Sequence, residues 1–213
     1  MKGIFITFEG TEGSGKTTII ENIQRDLTSL DYQVIKTREP GGSKISEEIR
    51  NVILNVDNIN MDAVTEALLY AASRRQHLIE VVLPNLKAGK IVLCDRYIDS
   101  SLAYQGYARG LGIDEVYQMN QFATSGLLPN LTIYIDVNPN VGLSRIKQNH
   151  RDVNRLDLEN INFHDKVYNG YKLVSNKFSD RIKVIDGEKS LEEVYENVKK
   201  AILDYLESTD GLQ

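Results

Sequence analysis

The chain has 213 residues, with 25 Lys and Arg against 30 Asp and Glu and a formal net charge of -5. That length suits one domain with a sizeable core. A mildly acidic balance excludes any general attraction to nucleic acid or to anionic membrane. The one cysteine, Cys94, excludes an internal disulfide and a cysteine metal cluster, which points to a reducing, cytoplasmic setting.

In chain order, "MKGIFITFEG" reads as a strand (3–9) rather than a signal peptide. A helix follows over 17–30, then a strand over 32–39 stopped by Pro40-Gly41-Gly42. A short helix covers 44–54. Asp62 caps a long helix running to about residue 87, with Gly89 as its stop. "KIVLCD" (90–95) is almost wholly apolar, as expected of a strand covered on both faces. A helix over 97–105 leads into a glycine-bearing loop at 106–112 and a helix over 114–125. A strand spans 131–137, a helix starts after Pro139, and a polar stretch occupies 147–157. The remainder reads as a helix to about 178, a strand at 181–186, a helix at 190–207 and a disordered tail. Five strands separated by helical patterns predict an α/β fold, a parallel sheet with helices on both faces. No apolar stretch approaches the roughly 20 residues that cross a bilayer.

Residues 10–17, Gly10-Thr11-Glu12-Gly13-Ser14-Gly15-Lys16-Thr17, form the P-loop pattern between a strand and a helix start. Backbone N–H groups of such a loop and of the helix N-terminus, Thr18 included, face phosphates. Lys16 is placed to reach the β- and γ-phosphates of a nucleotide triphosphate, and the Thr17 hydroxyl to bind Mg²⁺. Glu12 is the exception, because a carboxylate aimed at a polyphosphate is repelled. It reads instead as pointing away from the N–H groups toward an acceptor. The bland alternative is a solvent-facing residue that caps the next turn.

Ligands of open α/β sheets bind beyond the carboxyl ends of the strands. After the second strand comes Arg38-Glu39-Pro40, and after the third Asp95-Arg96-Tyr97. Two arginines at the edge that holds the P-loop suit phosphate clamping. Asp95 ends a Walker B-like strand and suits either Mg²⁺ or a helix N-cap. Glu66, Tyr70 and Arg74 share one helix face. They suit either the polar side of an amphipathic helix or a nucleobase platform with a donor fork. Tyr104 and Gln105 are open between ordinary helix-end residues and a sugar wall with a base reader. Arg145, Arg151 and Arg155 lie in or beside the polar stretch, either as a solvated loop or as a closing lid that offsets transition-state charge. His77, His150 and His164 show no metal-ligand spacing, and Cys94 reads as buried and inert.

A regulatory GTPase needs Asn-Lys-x-Asp and Asp-x-x-Gly, and neither occurs. A nucleic-acid motor is disfavoured by charge and size. "FEGTEGSGKTT", "TREPGG", "LLYAASRRQHL", "DRYIDSSLAYQG" and "NRLD" together resemble the thymidylate kinases, in their bacterial form, from about residue 3 to 207. The resemblance implies transfer of the γ-phosphoryl of ATP to dTMP with Mg²⁺. It implies a P-loop nucleoside-monophosphate-kinase fold over 1–213, a five-stranded parallel sheet, a short lid at about 145–157 and a homodimer. It places Arg38, Arg74 and Arg96 on the dTMP phosphate or thymine edge and Tyr70 as a ring stacked on thymine. Ser101 and Gln105 would contact the base, Tyr104 would crowd the ribose 2′ position, and Arg50 would lie on the substrate side. Glu39, Pro40, Tyr97 and Ser100 fall within the same substrate-side motifs, and Arg145 on the ATP side. It also gives Glu12 the sugar 3′-hydroxyl. Because the P-loop has no arginine, it calls for a catalytic arginine in the lid, Arg151 first and Arg155 next. "GGSKISEEIR" departs from the commoner glycine-bearing form after "PGG".

Overall fold

A computed structural model describes residues 3–148 and 155–210. Five parallel strands, β1 (Ile4–Glu9), β2 (Val34–Arg38), β3 (Ile91–Asp95), β4 (Leu131–Asp136) and β5 (Ile182–Asp186), form one sheet in the order β2-β3-β1-β4-β5. Side chains alternate between its faces. Phe5, Val92 and Cys94 enter one core, while Ile6, Phe8, Ile91 and Leu93 enter the other. Helices α1 (Lys16–Ser29) and α9 (Leu191–Asp210) cover the second face. The first is covered by Leu78–Val82, which continues α3 (Ala63–His77), and by α5 (Ile98–Ser101), α6 (Ile113–Thr124) and α8 (Ile161–Lys177). Between them in the chain lie α2 (Lys44–Leu54), α4 (Leu83–Lys87) and α7 (Pro139–Gln148). Ile91 to Cys94 are all buried, as both-face coverage demands. The edge strands β2 and β5 keep exposed positions.

Chains leaving β1 and β3 cross to opposite faces of the sheet. Their carboxyl ends therefore open a crevice at the centre, the topological switch point where α/β sheets bind ligands. The Asp62 side chain accepts from Val64 N and Thr65 N and caps α3. The helix it starts does reach Lys87, but residues Leu78–Val82 take π geometry. A second π segment, Leu102–Ala108, replaces the expected end of a helix at 105 and absorbs the start of the expected loop. Such a segment shifts side-chain direction within a helix. Gly170 of α8 lets that element pack closely, since a Cβ there would lie 2.8 Å from Ala103 O. The last helix runs to Asp210, so the tail expected to be disordered is helical at its start. No described helix is long and apolar enough to cross a membrane.

Candidate active site

One cavity of about 790 Å³ opens at the switch point. It runs from the P-loop to Tyr70 and Gln105, with Leu156 in its wall. At its donor end the loop 10–15 turns through positive φ at its glycines. At Gly13, φ is 72° and a Cβ would lie 2.1 Å from Gly142 O of α7, so only glycine fits. Helix α1 begins after Gly15 with no side-chain cap, which leaves its first N–H groups for a ligand. Thr11 ties the loop to Val137 O, and Ser14 lies inside it. Lys16 Nζ folds back onto Gly10 O, Thr11 O and Ser14 Oγ at 3.0 Å each. Burial, followed by the Arg96 charge, pulls its pKa down to about 8. A bound polyphosphate reverses that pull.

Thr17 Oγ1 stands 3.4 Å from Asp95 Oδ2, so the P-loop hydroxyl and the β3 carboxylate meet in space. Two oxygen donors beside a phosphate loop fit the ligand preference of Mg²⁺. Thr18 lines the same end, as does Arg145, whose Nη1 donates to Gly187 O. Lys189, Ser190, Leu191 and Val194 complete this wall. They follow the carboxyl end of β5 and carry no motif in the sequence, so they are not named from the sequence alone.

Glu12 turns its carboxylate toward Arg96 and Tyr104 and is not solvent-facing. Its Oε1 accepts from Tyr104 OH (2.6 Å) and Arg96 Nη2 (3.2 Å). Burial alone would raise its pKa, but Arg96, the Tyr104 hydrogen bond and Lys16 outweigh that and hold it below the ordinary value. Among the described residues Oε2 is buried without a hydrogen-bond partner, 3.9 Å from His164 Nδ1. His164 is thus a neighbour of the site that its spacing did not announce.

Arg96 sits at φ 68°, in the left-handed region. Its guanidinium lies over the Tyr104 ring, 5.3 Å from the centroid. Burial works against its charge, yet Tyr104, Tyr171, Glu12 and Asp95 hold its pKa well above the ordinary value. Glu9, which the motif reading passed over, lies beneath it with no exposed surface. Burial, then the Asp99 charge, pushes its carboxyl up to about 7. Ser100, Arg96 and Tyr97 N oppose the rise. Asp99 itself is paired with Arg181 at 2.7 Å.

The acceptor end has two parts. Arg38 and Arg50 both donate to Pro40 O, after a cis Glu39–Pro40 bond. Arg38 also meets Glu47 at 3.0 Å. Arg50 is held below its ordinary pKa by burial and then by Arg38, with Arg96 adding to the effect. Three cations therefore crowd one corner of an acidic protein, as a dianionic phosphate requires. The second part is a wall of matched charges. Arg74 is buried, and four of its five N–H donors meet Glu39, Ser101, Asn120 and Tyr97 O. Glu39 is held from its other side by His77 Nδ1 at 2.9 Å. Glu39 and Tyr97 thus reach the cavity chiefly as supports of Arg74. The Tyr97 ring has no exposed surface and packs edge-on to Phe5. Ser101 faces Arg74, and Ser100 faces Glu9 and Arg96.

Glu66 is fully buried and accepts from Gln105 Nε2 (2.8 Å), Arg109 and Arg155. A carboxylate only accepts, so the Gln105 amide turns its nitrogen to Glu66 and leaves its carbonyl oxygen for the cavity. Tyr70 lines the cavity between these groups, its phenol kept protonated by burial and then by Glu66. Arg155 also donates to Ile53 O, so it is bound to the acceptor wall rather than aimed at the P-loop. Arg151 and His150, with the middle of the expected lid, lie outside the described residues. Cys94 is buried, and burial pushes its thiol pKa up. Among the described residues, no group of three or more His, Cys, Asp and Glu is disposed to hold a metal.

The family model described as thymidylate kinase matches residues 8–198. The chain belongs to the thymidylate kinase family. Thymidylate kinase of Clostridium novyi is 60% identical over 199 residues, covering 93% of this chain and 97% of the relative. That of Geobacillus sp. strain WCH70 is 56% identical over 208 residues, covering 97% and 99%. The crystal structure of thymidylate kinase from Ehrlichia chaffeensis superposes with a TM-score of 0.76 at 32% identity, covering 95% of this chain and 99% of that one. The fold is that of a P-loop kinase, and the chain is a dTMP kinase that uses ATP as phosphoryl donor. As a thymidylate kinase it has its donor loop and its acceptor wall in one continuous cavity, joined at Glu12.

Proposed function

We propose that ATP lies along the P-loop and the segment after β5, and that dTMP lies between Arg96 and Gln105. The observation that carries this reading is Glu12, a P-loop residue whose carboxylate reaches Arg96 and Tyr104 on the acceptor side. Lys16 leaves its loop carbonyls for the transferring phosphoryl group. Thr17 and Asp95 would hold Mg²⁺, which supplies charge neutralisation on the phosphate oxygens when bound. Arg38, Arg50 and Arg96 clamp the acceptor phosphate. Glu12 takes the sugar 3′-hydroxyl, and Arg151 closes over the phosphoryl group. The active unit is a homodimer formed through the exposed apolar side chains of α3 and α6, Val64, Leu68 and Phe122. Size-exclusion chromatography at two protein concentrations checks this, and Phe122→Glu is expected to give monomer.

Selectivity follows from the fixed amide. The Gln105 carbonyl accepts the N3–H of thymine, and cytosine has no hydrogen there. Tyr104 blocks a ribose 2′-hydroxyl. ATP consumption with dTMP, dCMP and UMP tests both points. Preference for dTMP of about a hundredfold or more is expected, since a mismatched ligand leaves buried polar groups unpaired. Equal efficiency with UMP would overturn the sugar assignment, and equal efficiency with dCMP the base assignment.

A further inference from the structure

We propose that Glu9 is a positioning residue for the reaction: through Ser100 and Tyr171 it fixes the direction in which Arg96 presents its guanidinium. The inference rests on the assignment of Arg96 to the acceptor phosphate made above.

Glu9 ends β1 and immediately precedes the P-loop. Its Oε2 accepts from Ser100 Oγ at 2.5 Å and from Tyr171 OH at 3.0 Å. The two hydroxyls are 2.8 Å apart, and by themselves either could donate to the other. Above about pH 7, where Glu9 is ionised, it resolves that choice by drawing both hydrogens to itself. The hydroxyl lone pairs then face Arg96, whose Nη1 donates to Ser100 Oγ (3.2 Å) and Tyr171 OH (2.9 Å). Nη1 has two hydrogens, and both are placed in this way. Nη2 is left toward Glu12 and the cavity.

The backbone gives an independent observation. Arg96 N donates to Phe8 O at 2.9 Å, and Tyr97 N to Glu9 Oε1 at 2.8 Å. Two successive amides of the β3–α5 turn are thus held by two successive residues of β1. Arg96 lies between them at φ 68°, a conformation that persists only where its surroundings over-determine it. Glu9 therefore grips the backbone of this turn with one oxygen and sets the side-chain relay with the other.

Glu9→Gln preserves shape and breaks the logic. Three donors converge on Glu9, and all three need an acceptor. An amide has one accepting oxygen, so whichever way it is turned its NH₂ opposes a donor. If it opposes a hydroxyl, that hydroxyl turns its hydrogen toward Arg96, and donor meets donor again.

The test is a double-mutant cycle in steady-state kinetics with ATP and dTMP varied separately, using wild type, Glu9→Gln, Arg96→Ala and the pair. Glu9→Gln is expected to lower kcat/KM for dTMP by about 10- to 100-fold, the range set by one mispaired buried polar group. KM for ATP stays within about twofold, the usual scatter of independent sites. In the Arg96→Ala background the same substitution adds less than about twofold. Tyr171→Phe removes one link without touching Tyr97 N. It should give a smaller dTMP-specific loss that is non-additive with Glu9→Gln, and it serves where Glu9→Gln fails to fold. An undiminished loss in the Arg96→Ala background, or equal damage to ATP and dTMP parameters, overturns the relay. An Arg96→Ala enzyme that uses dTMP normally overturns instead the assignment on which the relay rests.

Discussion

Glu9 and Glu66 are both carboxylates without exposed surface, yet their surroundings treat them oppositely. Glu66 receives two arginines and an amide. Burial penalises its charge, but Arg109, Gln105 and Arg155 overcome that and hold its pKa below the ordinary value. Glu9 receives two hydroxyls and one backbone amide, with no cation in direct contact among the described residues, and its carboxyl rises to about 7. The base wall is therefore complete before any ligand arrives. The phosphate end is not. There Arg96 is separated from Glu9 by a layer of hydroxyls, Arg50 is depressed by burial and then by its fellow cations, and Glu12 Oε2 has no hydrogen-bond partner among the described residues. A wall that reads a neutral base can be finished in advance. A pocket for a dianion has to keep positive charge in excess, and here Arg38, Arg50 and Arg96 face Glu12 and Glu47.

The contrast breaks most readily at the phosphate end. Arg96→Ala should lower kcat/KM for dTMP by about a hundredfold or more. The KM for ATP should change little, because the donor loop keeps its own groups. Comparable damage to both substrates would mean that the two ends are not separable.

Glu66→Ala attacks the finished wall and should act mainly on stability. It takes Glu66 from the buried Arg155, while Arg109 keeps Glu159 at 2.7 Å, and breaking a buried pair costs about 3 kcal/mol or more. For a chain of this size that is a fall of about 6–12 °C in Tm by calorimetry. An unchanged Tm would show that the wall is not held by charge matching.

Glu9 has a pH signature of opposite sign. Its pKa is raised, so between the ordinary 4.5 and about 7 the folded protein keeps a proton that the unfolded chain releases. Stability contributed by this group is present at low pH and is lost as pH rises through that window. From about pH 5 to about pH 8, Glu9→Gln should gain on wild type by up to about 3 kcal/mol in denaturant unfolding. A parallel pH dependence in the two proteins would refute the raised pKa.

The smallest effect belongs to Glu12. Glu12→Gln should weaken dTMP use by about tenfold, as expected for one charge-assisted hydrogen bond. A dTMP analogue lacking the 3′-hydroxyl should lose less from the substitution than dTMP does. ATP binding should be unchanged or slightly stronger, since a negative charge near the polyphosphate is gone.

Legibility in the sequence followed the range of the interactions. The P-loop, Arg38, Asp95 and Arg96 were readable because each follows a strand in a local pattern with a mechanism. The 3.4 Å approach of Thr17 and Asp95 was accessible through strand-end logic. Glu9 was not, because the position before Gly10 has no chemical role in the P-loop pattern. Its partner Tyr171 lies 162 residues away in the chain. Arg155 was read as a lid cation because charge in a polar stretch has no direction in sequence. Its partner Glu66 is 89 residues distant. The two π segments left no signature in apolar spacing, so Tyr104 and Gln105 could be named but not aimed. The wall after β5 obeys the same strand-end rule that places Arg96.

The most direct test compares thymidine with dTMP by calorimetric binding to wild type and to Arg96→Ala. A finished base wall should bind thymidine equally well in both proteins. The phosphate end, with its excess of positive charge, should give dTMP a large advantage over thymidine in wild type, and Arg96→Ala should remove most of it. If dTMP keeps its full advantage in Arg96→Ala, or if thymidine binding falls with it, the division between a finished wall and a charged corner is wrong.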